Sequence, residues 1–169
     1  MSQPLPTVRQ IYAPALIPQV LAIAVLSIAF HLWLPSKSWP YAVFLGALTY
    51  LIYCRIARAI VLRHHSAGIV AYKARRFDEA LRHSRASFEY FERHVLIDRY
   101  RSLVLGAASS NSFRTIALIN SAYGETMRGN RAQAVSLFTQ VLSETPDCAN
   151  AEFGLKMLQG SGDGSSGAP

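Results

Sequence analysis

The run from Ala15 to Leu34 holds twenty residues and not one Asp, Glu, Lys or Arg. A helix of about 20 apolar residues spans the hydrocarbon core of a bilayer. A second apolar span runs from Tyr41 to about Leu62 and is uncharged as far as Cys54. Arg55 and Arg58 follow, three residues apart on one helical face, and Arg63 lies just beyond. Long arginine side chains near a helix end reach headgroups while their stems stay in lipid, so these three are the expected headgroup contacts. Between the spans stands Pro35-Ser-Lys-Ser-Trp-Pro40, a turn by its prolines and polar residues. Trp33, Trp39 and Tyr41 flank it as an interfacial aromatic belt would. The expectation is a transmembrane helical hairpin over 15–62, after an N-terminal segment 1–14. It does not read as a cleaved leader, because the first span is long, starts late and runs into a turn with no small-residue cleavage site.

The charge distribution gives the hairpin an orientation. All ten acidic residues lie from Asp78 onward, while eight of the seventeen basic residues precede it. Only Lys37 occupies the turn; Arg55, Arg58, Arg63, Lys73, Arg75 and Arg76 lie at or beyond the far end of the second span, and Arg9 precedes the first. The positive-inside rule then places both termini in the cytoplasm, most plausibly at a bacterial inner membrane. Only 16% of residues are charged, against about 25% in ordinary soluble domains. A disordered chain, a disulfide scaffold and a plain soluble globule are excluded. No groove-reading motif accompanies the basic cluster, so no nucleic-acid partner is expected.

Beyond the hairpin the pattern becomes helical. Asn120 to Pro146 contains Gly129, then Ala134, Phe138, Val141 and Leu142 at helical spacing, then Pro146. This is a helix, a tight Gly-Asn turn, an amphipathic helix and a proline stop. Gly68 to Ser84 repeats parts of the scheme, with Tyr72, Phe77 and Ala80. Asp78 and Glu79 suit the start of its second helix. Ala80 and Ala134 stand 54 residues apart. Leu81, Phe88, Phe91, Val95 and Leu103 are expected on one long continuing helix, with 106–112 as a linker and Ser112 as an N-cap. Ala149 to Leu158 reads as a short closing helix, and 159–169 as a flexible tail. No proline stands between Tyr41 and Arg76, and Gly68 is the one weak point past the apolar span, so the second span is expected to run straight into the next helix.

The residues Ala122, Gly129, Ala134, Phe138, Val141 and Pro146 resemble the tetratricopeptide repeat family, whose unit is a helix-turn-helix of about 34 residues. Gly68, Tyr72, Phe77 and Ala80 match the same pattern in an earlier unit. Departures are Glu125 where the family has an aromatic, Ser121 where it has Leu, Arg75 for the turn glycine, and Ser84 for an aromatic. The resemblance implies an all-α chain: the hairpin, then a small repeat-like domain over 63–158, with Ala149–Leu158 as its capping helix. It also implies that first helices line a concave groove. Those positions are Ile116, Ile119, Tyr123, Thr126 and Met127 in the better unit, and Leu62, His65, Ile69, Tyr72 and Lys73 in the other. Such a groove takes a partner helix or peptide, unless the middle or capping helix fills it.

Catalytic signatures are missing from the sequence: there is no phosphate loop, HExxH, CxxC or GxSxG. Cys54 and Cys148 read as free thiols in a reducing cytosol. His31, His64 and His65 read as packing or interfacial residues, and His83 and His94 are too far apart on a helix to share a metal. No catalytic, cofactor or metal-binding residue is therefore expected. The leading expectation is a membrane-anchored, non-enzymatic protein–protein interaction module or scaffold. The alternative is an accessory subunit of a membrane complex, bound through the hairpin with Ala42 and Gly46 as a close-packing face. Homo-oligomerisation stays open.

Overall fold

A computed structural model describes residues 13–34 and 38–163. The expected turn residues Pro35, Ser36 and Lys37, the segment with Arg9, and most of the expected tail lie outside the described residues. The described elements are all helical: a short 3-10 turn, Ala13–Leu16, then α1 (Ile17–Trp33), α2 (Trp39–Val61), α3 (Arg63–Lys73), α4 (Phe77–Arg93), α5 (Val95–Arg99), α6 (Arg101–Val104), α7 (Phe113–Met127), α8 (Arg131–Glu144) and α9 (Ala149–Asp163). They form two units. Among the described residues, one holds 64–94 and 111–163; the other holds the two long apolar helices through Arg63 together with Val95–Ser110.

In the span-bearing unit, α1 with its leading turn and α2 measure 21 and 23 residues and are long and apolar enough to cross a membrane. Pro18 and Pro40 sit in their first turns, where the missing N–H costs nothing. The buried residues of α2 are Ala42, Gly46, Tyr50 and Cys54, one every four residues and hence on one face. A methyl group on Gly46 would stand 2.6 Å from Ser27 Oγ and 2.8 Å from its backbone nitrogen, so α1 approaches α2 only because that side chain is absent. The face expected to serve another subunit is thus occupied within the chain. His31 stacks on Trp39 with ring centroids 4.2 Å apart.

The lower part of the same stripe holds the Val95–Ser110 segment. The Tyr50 hydroxyl donates to the carbonyls of Leu103 (2.9 Å) and Ser102 (3.3 Å). Arg58 donates through Nε to the Leu105 carbonyl at 2.5 Å and through Nη2 to that of Gly106. Gly106 has φ +58 and lies against Cys54 and Arg58, which suits a residue without Cβ. Two expectations change here. The long middle helix ends at Arg93, where the His94 ring bonds the Tyr90 carbonyl and stacks on its ring. Val95 and Leu103 lie in the other unit and are exposed. Leu62 also interrupts the chain between α2 and α3, so the second span does not continue unbroken.

In the other unit the core is Leu118, Ile119, Ala122, Ala134, Phe138, Val141, Cys148, Ala151 and Leu158. It contains the stripe read from the sequence. Ser112 caps α7, its Oγ accepting from the Thr115 N–H at 3.0 Å. α9 runs to Asp163, five residues into the expected tail, and Gly154 presses on the Phe138 ring so closely that no Cβ fits.

The two helix pairs turn in the same way. Arg75 N–H bonds Tyr72 O and Arg76 N–H bonds Ala71 O; Gly129 N–H bonds Thr126 O and Asn130 N–H bonds Glu125 O. Each is the paired hydrogen bonding that closes a helix with a left-handed residue. Gly129 has φ +78, and Arg75 takes φ +57 despite its side chain. A left-handed non-glycine residue costs about 1–2 kcal/mol, and glycine returns part of that gain through backbone entropy. Arg75→Gly is therefore expected to stabilise the fold by about 0.5–1 kcal/mol, read as a raised denaturation midpoint. A lowered midpoint would show that the arginine side chain contributes more than its strained backbone costs.

Candidate interaction face

The expected groove residues divide into two sets. Ile119 is buried in the core, and Tyr123 packs edge-on against Phe138 at 5.1 Å. The Tyr123 hydroxyl donates to the Asn150 carbonyl in α9 at 3.0 Å. Burial, then the nearby Tyr72 and Cys148, push its phenol up to about 12. The Thr126 hydroxyl turns back to the Ala122 carbonyl, and Ile116 is half-buried. This stretch of the groove is thus filled from within, by the closing helix.

The other set remains at the surface. Ile69 (38% exposed) and Met127 (45%) are open, and Lys73 is exposed. Tyr72 packs edge-on to Phe77 at 5.7 Å, its hydroxyl buried with no hydrogen-bond partner among the described residues. Burial raises the Tyr72 phenol as well. Phe77 and Met127 line a cavity of about 370 Å³ with Arg75, Arg76, Arg82 and Arg128. Its charges are largely paired, Arg128 with Asp78 at 2.9 Å and Arg76 with Glu79 at 2.8 Å. The result is a turn of mixed charge with Phe77 and Met127 beside it, and Ile69 exposed on α3. No group of three or more His, Cys, Asp or Glu close enough to hold a metal occurs among the described residues. Cys54 and Cys148 are buried free thiols.

Of the expected headgroup arginines, Arg55 and Arg63 are exposed, while Arg58 binds the Leu105 and Gly106 carbonyls. Leu62 belongs with the spans, and His65 lies in the helical unit with its ring edge-on to Phe113 at 5.5 Å.

Sequence reasoning passed over Glu125. It is 1% exposed and accepts from Arg85 of α4 at 3.0 Å, with Arg128 at 3.5 Å and Asn130 at 3.3 Å. Its standing in an aromatic position was the available signal, since a buried acid needs a cation. Compared with known proteins, the chain matches no protein-family model, no curated protein and no solved structure.

Two stability predictions follow from these contacts. Arg85→Ala leaves the buried carboxylate with its weaker partners; breaking a buried pair costs about 3–5 kcal/mol, and Arg128 holds the loss near the lower bound. Chemical denaturation reads this, and a loss below about 0.5 kcal/mol would remove the pair from the list of stabilising contacts. Burial lowers the His65 pKa in the folded state. The unfolded chain then binds more protons, so His65's contribution is complete above its unfolded value of about 6.5 and is lost as pH falls below it. The fall in melting temperature between pH 7 and 5.5 should flatten in His65→Phe. Glu144, held down by its hydrogen bond to Arg114, loses its contribution only below the ordinary carboxylate range.

Proposed function

We propose that the chain is a membrane-anchored, non-catalytic interaction module built on tetratricopeptide-like helix pairs. In this reading the hairpin spans a bacterial inner membrane twice, with both termini cytoplasmic, and the helical unit recruits or steadies a protein partner at the membrane face.

The carrying observation is that both units leave large apolar side chains exposed. In the spans these include Val20, Val25, Phe44 and Ile56; in the helical unit, Ile69 and Met127. Apolar surface of that extent calls for a non-aqueous neighbour, lipid for the first set and protein for the second. The repeat-like character is supported by the matching turns. The pairs Gly68 and Ala122, Arg75 and Gly129, and Ala80 and Ala134 share one offset of 54 residues. Most of the excess over a standard repeat is the excursion through Val95–Ser110, which belongs with the spans. In the alternative, an accessory subunit held through its hairpin, the contact would use the outward residues of the spans, since Ala42 and Gly46 are buried.

The test is co-purification from mild detergent with native mass measurement, comparing the native chain with Ile69→Glu/Met127→Glu. Both positions are exposed, so folding should change by no more than about 0.5 kcal/mol, while a stoichiometric partner is lost. Retention of the partner by the folded variant would refute the face, and a hairpin exchange that releases it would favour the subunit alternative.

A further inference from the structure

The span-bearing unit contains a cavity of about 240 Å³ that the interaction reading does not use. It lies at the open end of the hairpin, between the start of α1 (Pro14, Pro18) and the Val95–Ser110 segment (Arg99, Arg101, Ser102, Ser109). Two arginines line it and no acid does; the neighbouring Asp98 is buried and is not part of the lining.

Arg101 is fixed. Nη1 donates to the Asp98 carbonyl at 3.1 Å and Nη2 to the carbonyls of Ser109 and Ser110 at 2.9 and 3.0 Å. Its Nε is buried and has no hydrogen-bond partner among the described residues. Buried guanidinium donors without an acceptor are costly. Arg99, by contrast, is exposed. The 3-10 turn Ala13–Leu16 that leads into α1 forms the opposite wall, with no acidic residue in it or in the first turn of α1.

The segment that supplies these arginines also carries exposed apolar side chains. Val95, Leu96, Tyr100 and Leu103 are exposed, and they belong to the unit whose spans expose apolar side chains along their length. Short helices with apolar side chains and arginines together suit the headgroup boundary of a bilayer. The polar side chains of the cavity match a phosphate: a fixed guanidinium, a mobile guanidinium and serine hydroxyls.

We infer that Val95–Leu103 is an interfacial segment and that the Arg99–Arg101 cavity binds the phosphate of an anionic phospholipid. The inference rests on the membrane reading above. Its chemistry differs from the general attraction of Arg55 and Arg63 for a charged surface, because it is a site of defined lining with a place for one headgroup.

The test is native mass spectrometry of the detergent-solubilised full chain, titrated with phosphatidylglycerol or phosphatidylcholine, and separately with glycerol phosphate. Alkaline carbonate extraction of membranes is run beside it. The expected result is preferential retention of phosphatidylglycerol, falling about fivefold in Arg99→Gln, the loss due to one arginine near an anionic surface. Arg99 is exposed and makes no hydrogen bond or ion pair among the described residues, so this variant should remain folded; Arg101→Gln, which also frees the Ser109–Ser110 carbonyls, is the less clean comparison. Equal retention of the two lipids, or phosphatidylglycerol binding unchanged in Arg99→Gln, overturns the site while leaving the membrane reading standing. Glycerol phosphate retained as strongly as the lipid overturns the lipid in favour of a soluble phosphate. Release of the chain by carbonate overturns the membrane reading and the lipid site with it.

Discussion

Backbone carbonyls at the ends of short helices must find donors, and this requirement organises the span-bearing unit. α5 and α6 are five and four residues long, so most of their carbonyls lie outside any intrahelical ladder. Water would satisfy them in a soluble loop, but here the neighbours are the spans. Tyr50 and Arg58 supply the donors from α2, and Arg101 supplies more from within the segment. The residues that do this lie on the stripe whose upper part, Ala42 and Gly46, receives α1. One helical face thus changes from close packing at one end to hydrogen bonding at the other. Cys54 lies between, where Gly106 comes near.

The helical unit is centred on α7, which packs against α4 on one side and α8 on the other. Its contacts are of two kinds. Ala117, Leu118 and Ala122 are buried apolar residues, whereas Glu125 and Arg114 are polar ties. Arg114 lies over the Phe88 ring at 4.7 Å and pairs with Glu144 and with Glu92. Solvent screening and side-chain entropy discount such pairs when they are exposed. Glu125 differs because its carboxylate is enclosed while its arginines reach it from the surface, so the unit contains a charge whose partners are more easily displaced than the charge itself.

Legibility followed periodicity. The spans, the α8 stripe, the Ser112 cap and the acidic start of α4 were readable because each is a local pattern of a few residues. Of the groove positions, Ile69 and Met127 are at the surface, and Ile119 and Tyr123 are covered through contacts with α8 and α9, which a pattern confined to one helix does not encode. The break at His94 has neither proline nor glycine to announce it; it depends on where Val95–Ser110 finds donors. Arg75 was seen as a departure from a glycine position, yet its left-handed backbone is the same as that of Gly129. The hydrogen-bond pattern of the turn persists where its usual residue does not.

Among the described residues the chain passes between the two units near Arg63, His94 and Ser110. Each unit is therefore assembled from stretches that are not contiguous in the chain, and no single cut separates them. A shortened protein beginning at His64 would retain Val95–Ser110 but discard Tyr50 and Arg58, leaving the carbonyls of Ser102, Leu103, Leu105 and Gly106 without those donors. Synthesis imposes an order as well. The hairpin leaves the ribosome before its third component, so the unit is incomplete until α4 has been made and the chain has returned.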